Sequence, residues 1–360
     1  MKIKDLETPV VLIEEQRMEN NLQAMQDICT KTGTELWPHV KTHKMVNVLR
    51  RQLALGATGI TCAKIGEAEA LLPSGVRKVF VAHSIVDERS AGRLKALAGK
   101  LDELILAVTS IGQCELLEAL LRKVSLQLPV LMAVDTGLDR EGVRSNEDAV
   151  ALHRKIVNSE VLTFRGLYTH EGHAYGSANP EAASEMAARV HARLVEVAEA
   201  LGGDIALWPG CSVTAALMAG KPGVVAVRPG SYVFGDLALC ESTGVREFDH
   251  AALTVLATVV DKPADDLALI DAGTKVFSSD KSAAGIAGRE QNLRSIVVEK
   301  MNEEHGYLRG EELKKVSIGQ RLRFVPAHVC TVVNLTSTVR VVNGDEVVAT
   351  WNVEARGCTV

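Results

Sequence analysis

The sequence contains no run of lysine and arginine and no stretch approaching the roughly 20 apolar residues of a membrane span, and these absences narrow its class before any motif is read. A net charge of −5 and a pI near 6.1 offer little to nucleic acid or to an anionic membrane, both of which draw on clustered cations. The opening MKIKDLETPVVLIEE confines its apolar residues to one short run soon followed by acids, so neither a secretory signal nor a transit peptide is expected. No internal repeat and no low-complexity segment is present. The seven cysteines (29, 62, 114, 211, 240, 330 and 358) are odd in number and widely scattered, mostly in apolar surroundings. A disulfide framework is therefore not expected, the cytoplasm is the expected compartment, and most of these thiols read as inert core residues. What remains is an ordinary globular composition, 47% hydrophobic and 24% charged over 360 residues. That is enough for one large domain and a smaller one, with small molecules as partners.

From about residue 20 to 235, helical patterns alternate with eight β-rich runs: 35–41, 58–64, 78–83, 103–108, 129–135, 164–173, 206–212 and 224–232. Ser145 at the head of SNEDAVALHRKIVNS and Asn179-Pro180 opening PEAASEMAARVHARLVEVAEAL are helix-start signals. Eight strand-plus-helix units predict a (β/α)8 TIM barrel, with its site at the C-terminal strand ends. After residue 240 the pattern becomes alternating β without long helices, and Asn343-Gly344 between β-branched runs predicts a hairpin. The expected organisation is a barrel over 1–240 and an all-β domain over 241–360. The early TPVVLIE, residues 8–14, either leads into the barrel or joins the β-domain.

The strand interiors are apolar and their C-terminal ends are polar: His39 and Lys41, Lys64, His83, Asp135 with Arg140 beyond it, Tyr168, His170 and His173, Ser212 and Thr214, then Arg228, Gly230, Ser231 and Tyr232. Each has an ordinary reading by itself, a solvated lysine or a structural histidine. Convergence on one barrel mouth favours function. The loops PGCSVTAAL and RPGSYVFGD, after strands seven and eight, mix glycine with hydroxyl residues in the manner of barrel phosphate sites. A strand-one lysine facing them is the layout of a pyridoxal phosphate enzyme, with Lys41 as the Schiff-base lysine. Further on, PAHVC places His328 and Cys330 two apart, which on a strand puts both on one face. An imidazole with a thiolate favours zinc over manganese or magnesium.

TPVVLIEEQRMENNLQAM, PHVKTHK, VDTGLDREGV, YTHEGHAYG, VRPGSYVFGD, PAHVC and WNVEARG, in this order from Thr8 to Gly357, resemble the D-threonine aldolase and D-serine dehydratase group, which shares the fold of alanine racemase. The resemblance implies a pyridoxal phosphate barrel followed by a β-domain, paired as a homodimer in which the β-domain of one subunit closes the barrel mouth of the other. It implies Lys41 as the Schiff-base lysine, Arg140 near the cofactor's phenolic oxygen, and His170 or Tyr168 against the ring, near His39. Arg228, Gly230, Ser231, Tyr232, Gly210, Ser212 and Thr214 would approach the pyridine nitrogen and the phosphate, and Cys211 has no assigned role. The metal pair is His328 and Cys330, flanked by Ala327 and Thr331 where the group has asparagine and proline. A cysteine in the pair resembles the dehydratase branch, whereas the aldolases carry aspartate there. The implied reaction is loss of water from a D-β-hydroxy amino acid such as D-serine or D-threo-3-hydroxyaspartate, giving a 2-oxo acid and ammonia. Retro-aldol cleavage to glycine and an aldehyde, racemisation, and a non-catalytic cofactor carrier are the alternatives, and the metal pair counts against the last two.

Overall fold

A computed structural model describes all 360 residues. The chain begins with β1 (Val10–Glu14) and α1 (Glu15–Thr32), after which eight parallel strands follow: β2 (Glu35–Leu36), β3 (Ile60–Cys62), β4 (Lys78–Val81), β5 (Glu103–Val108), β6 (Leu128–Ala133), β7 (Leu162–Tyr168), β8 (Leu207–Trp208) and β9 (Ala226–Val227). Strands β3 to β8 form one continuous sheet and β2 pairs with β9. Isolated parallel bridges, His39 with Thr61 and Leu207 with Val224, join the two sheets into a ring. All eight expected strands are present, and the cap residues act as read: the Ser145 hydroxyl accepts from Asp148 N–H and the Asn179 carbonyl from Ala182 N–H, opening the helices Asn146–Val157 and Pro180–Ala200.

The two-residue period of the strands splits one apolar run into two cores. In β5 and β6, Ile105, Ala107, Leu131 and Ala133 join Trp37, Phe80, Tyr168, Trp208 and Ala226 in a compact cluster inside the barrel. Their neighbours Leu104, Leu106, Val108, Val130 and Met132 belong to the large core packed against the outer helices. The inner cluster is aromatic: Trp37 meets Trp208 edge-on at 4.9 Å and Phe80 meets Tyr168 at 5.1 Å. This layer is the floor on which polar residues of the strand ends stand.

The second sheet continues with β10 (Leu253–Ala264), β11 (Leu267–Ile270), β12 (Gly288–Glu290), β13 (Val297–Met301), β14 (Gly306–Arg309), β15 (Arg321–Pro326), β16 (Thr338–Asn343) and β17 (Glu346–Asn352). Its order is β11-β14-β13-β12-β15-β10-β1-β16-β17. β1 lies in this sheet, antiparallel to β10 and parallel to β16. The hairpin forms one residue later than expected: Asn343 still pairs with Glu346, and Gly344 at φ 57° with Asp345 makes the turn. The His-x-Cys spacing also differs. β15 ends at Pro326, His328 precedes a short helix, Val329–Leu335, and Cys330 lies in its first turn. The two side chains meet by helical curvature and not by sharing a strand face.

Lys41 likewise sits in the turn beyond His39, not on the strand. That turn is held by its other lysine. Lys44, at φ 54°, is buried with its ammonium 3.2 Å from Glu67 and 3.4 Å from the Ala355 carbonyl. Glu67 also accepts from Ala63 N–H at 2.7 Å. Removing one partner of a buried ion pair leaves an uncompensated charge. Glu67→Gln is accordingly expected to cost about 3–5 kcal/mol of stability, measured as a lower urea midpoint, whereas replacing the partly exposed Glu15 beside Arg51 should shift it by less than about 1 kcal/mol.

Candidate active site

A cavity of about 420 Å³ opens above the aromatic floor, and Lys41, His39, Arg140, His170, Gly210, Ser212, Arg228, Gly230, Ser231, His328 and Cys330 all line it. Residues from both parts of the chain thus share one space. Of the two lysines in PHVKTHK, Lys44 is consumed by Glu67 and Lys41 is the one presented to the cavity.

At one end, the loops after β8 and β9 approach each other closely. A Cβ at Gly210 would run into the Arg228 guanidinium and one at Gly230 would stand 2.6 Å from the Thr42 hydroxyl, so any other residue at either position would force a neighbour to shift. The Ser212 hydroxyl ties the loops together by accepting from Gly230 N–H (3.0 Å) and Tyr232 N–H (3.2 Å). Glu171, fully buried, accepts from Gly210 N–H at 3.1 Å and from the Thr214 hydroxyl at 2.6 Å. The N–H groups of Ser212 and Ser231 have no acceptor within the chain. Two expected phosphate residues point elsewhere. Thr214 is buried and spends its hydroxyl on Glu171, while the Tyr232 hydroxyl accepts from Gln52 in the core. Cys211 packs among Ala174, Ala183, Val213 and Leu239, and burial pushes its thiol up to about 12, which keeps it protonated and inert.

Beside these loops, Arg228 lies 5.3 Å from both the Phe80 and Tyr168 rings and donates to the Trp208 and Thr169 carbonyls. Burial lowers its guanidinium to about 10, still a cation at neutral pH. His170 gives its Nδ1 proton to the Gly210 carbonyl, which leaves Nε2 free. Burial first, then Lys41, lowers it to about 3, so the ring is neutral. Burial and the charges of Lys41 and Arg228 likewise hold His39 well below its ordinary value, and its buried Nδ1 has no partner. Arg140 reaches the cavity with its guanidinium paired to Glu141 at 2.6 Å. Its loop is shaped by Asp135, whose Oδ1 accepts from Gly137, Leu138 and Asp139 N–H groups. Tyr168 stands in the floor below, its hydroxyl donating to the Ala82 carbonyl, and it lines a smaller cavity of about 210 Å³ with Lys41 and His83. Lys64 is 3.3 Å from His83 and outside the main cavity.

Across from Lys41, His328 and Cys330 form an imidazole-thiol pair. The nearby thiolate raises His328 to about 11. Burial alone would raise Cys330, but the His328 charge and hydrogen bond, with Lys41 and Thr42, hold it below its usual range. An imidazole with a thiolate is a donor set that suits zinc once the imidazole gives up its proton, and no group of three or more His, Cys, Asp or Glu is placed to hold a metal. The uncommitted lysine, the free loop N–H groups and the orphaned His39 nitrogen likewise fit pyridoxal phosphate. Sequence reasoning missed Glu171, Tyr175 and Asp236. Tyr175 lines the cavity and its hydroxyl is 2.9 Å from that of Ser231; Asp236 contacts His328. All three lie inside or beside the motifs YTHEGHAYG and VRPGSYVFGD, but no spacing rule marks a buried carboxylate.

Because a methyl group at Gly210 would displace Arg228 and tilt a loop N–H, Gly210→Ala is expected to weaken pyridoxal phosphate binding by about tenfold or more, the equivalent of one lost hydrogen bond to a charged group. Titration of the apo-protein with the cofactor, followed by its absorption, checks this.

Residues 13–238 match the family described as alanine racemase, N-terminal domain, and residues 252–342 match the putative serine dehydratase domain. The chain is 31% identical to the D-threo-3-hydroxyaspartate dehydratase of Delftia sp. (strain HT23), covering 96% of this chain and 97% of that one. The crystal structure of D-threonine aldolase from Filomicrobium marinum superposes with a TM-score of 0.91 at 27% identity, covering 100% and 98% of the two chains. A mutant D-threo-3-hydroxyaspartate dehydratase in a metal-free form superposes with a TM-score of 0.89 at 30% identity, covering 98% of each chain. With both domain matches in sequence order and full-length relatives named as dehydratases and aldolases, the chain belongs to the D-serine dehydratase and D-threonine aldolase family of pyridoxal phosphate-dependent lyases built on the alanine racemase fold.

Proposed function

We propose that this lyase removes water from a D-β-hydroxy amino acid, D-serine or D-threo-3-hydroxyaspartate, to give a 2-oxo acid and ammonia, with a divalent metal, zinc ahead of manganese or magnesium, held by His328 and Cys330. The observation that carries this reading is the single cavity in which that pair faces Lys41. The dehydratase relative and the metal-free form of such an enzyme support it. When bound, pyridoxal phosphate supplies an electron sink for a carbanion at the substrate's α-carbon, and the metal supplies a Lewis acid for its β-hydroxyl.

The chain's own groups do the rest. The N–H groups of Ser212 and Ser231 hold the phosphate end, and Gly230 keeps that approach open. Lys41 Nζ takes the α-proton as general base. His328 and Cys330 direct the β-hydroxyl side of the substrate, and hydroxide leaves from Cβ as the Cα–Cβ double bond forms. The resulting enamine is hydrolysed to the 2-oxo acid and ammonia. His170, with Nε2 free, is the chain's candidate to meet the β-hydroxyl in the second reading, retro-aldol cleavage to glycine and an aldehyde. Racemisation would need a second acid/base on the opposite face and would have no use for the pair. A homodimer whose β-domain covers the partner's barrel mouth belongs to the same proposal.

Borohydride reduction of the cofactor-loaded protein should label Lys41, found by peptide mapping; a label on Lys44 or elsewhere would refute the assignment. With D-serine, D-threonine and D-threo-3-hydroxyaspartate offered alongside zinc or manganese, 2-oxo acid and ammonia are expected. Glycine with an aldehyde would establish the aldolase, and the L-enantiomer would exclude both. His328→Ala and Cys330→Ala should each lower 2-oxo acid release on the order of a thousandfold or more, the scale of Lewis-acid assistance, with the cofactor's absorption retained.

A further inference from the structure

Asp236 is fully buried, and its only ion-pair contact is with His328, not with a lysine or arginine. A carboxylate kept out of water is costly unless it is paired and hydrogen-bonded, so its partners show what it holds. Oδ2 lies 3.2 Å from His328 Nδ1 and 3.2 Å from the Val329 N–H. Oδ1 accepts from Leu239 N–H at 3.2 Å, which anchors the carboxylate to its own loop. That loop follows β9 of the barrel, whereas His328 follows β15 of the second sheet, 92 residues away.

Two consequences follow for the donor pair. A ring whose Nδ1–H is given to a carboxylate has only Nε2 left to offer a metal. His328 is the more exposed partner, its side chain 34% exposed against a fully buried Asp236, so the carboxylate is the fixed end of the bond. The bond to Val329 N–H fixes the main chain between the two donors, and Cys330 is the next residue. One carboxylate therefore sets the direction of both.

We propose that Asp236 is the positioning residue of the metal site, a clasp from the barrel that aims His328 Nε2 and Cys330 Sγ together into the Lys41 cavity. This rests on the metal reading above. Its role is to orient donors, not to touch substrate or cofactor.

The test compares wild type with Asp236→Asn, both loaded with pyridoxal phosphate, by zinc and manganese titration in competition with a chromogenic chelator. The amide can still accept from Val329 N–H but cannot hold the Nδ1 proton in the same way. Metal affinity is expected to fall about 10- to 100-fold, with the cofactor's absorption unchanged and kcat recovering as metal is raised to saturation. An unchanged affinity, or a kcat loss that saturating metal does not restore, would overturn the role. If wild type itself binds neither metal, the metal reading fails and takes this inference with it. A measurement independent of the variant's folding is 15N NMR of histidine-labelled wild type loaded with cadmium-113: metal coupling should appear at Nε2 of His328, and coupling at Nδ1 would refute the clasp.

Discussion

The Lys44–Glu67 ion pair is the constraint on which the site depends. The turn after His39 must carry a lysine whose amine is uncommitted, so the turn has to be fixed by something other than that lysine. Lys44 does this from the buried side. Its N–H bonds the Val40 carbonyl, its ammonium meets Glu67 at 3.2 Å, and its carbonyl accepts from Ala355 N–H. Glu354 then accepts from Val46 N–H at 2.9 Å, and Arg51 lies over the Trp351 ring at 4.4 Å. The segment after β17 therefore closes back on the turn that presents Lys41. A low-dielectric setting makes such a pair strong only while both partners are present, which ties the geometry of the mouth to the integrity of both parts of the chain.

Electrostatics at the mouth divide along the cavity. Lys41, Arg140 and Arg228 are cationic, while His39 and His170 are kept neutral by burial and by those same cations. The field suits an anionic phosphate and a substrate carboxylate. Glu171 supplies a negative charge at the back of the loop and uses it on Gly210 N–H and the Thr214 hydroxyl. Opposite, an imidazole and a thiol lower each other's cost of ionising. Under the proposed function, acid/base groups, phosphate-facing loops and metal donors would keep separate stations in one space, and a change of outcome between elimination and carbon–carbon cleavage would need only a different use of the β-hydroxyl.

Much of this was legible in the amino-acid order because it is local. Short β-rich runs ending in polar or glycine residues placed eight strands, and hydroxyl or amide caps at Ser145 and Asn179 placed two helices, since each signal is read by groups a few residues apart. Lys41, His170, Arg228 and the glycine loops could be named because strand ends in a barrel converge on one mouth whatever joins them. The strand to which His328 and Cys330 were assigned was not legible: the run ends at Pro326, and whether the next residues extend or coil depends on packing of Val329, Val332 and Val333 in the core.

The sequence by itself determined the barrel, the change to β-structure after residue 240, and the residue types offered to the site. Only the tertiary structure decided that β1 belongs to the second sheet, that Lys44 is spent on Glu67 while Lys41 faces the cavity, that Thr214 and Tyr232 turn away, and that Asp236 reaches across to His328. The physical reason is the same in each case. Periodicity and capping are settled by neighbours in the chain, whereas a buried polar group takes whichever partner the folded chain brings within hydrogen-bond reach, and those partners lie up to hundreds of residues away.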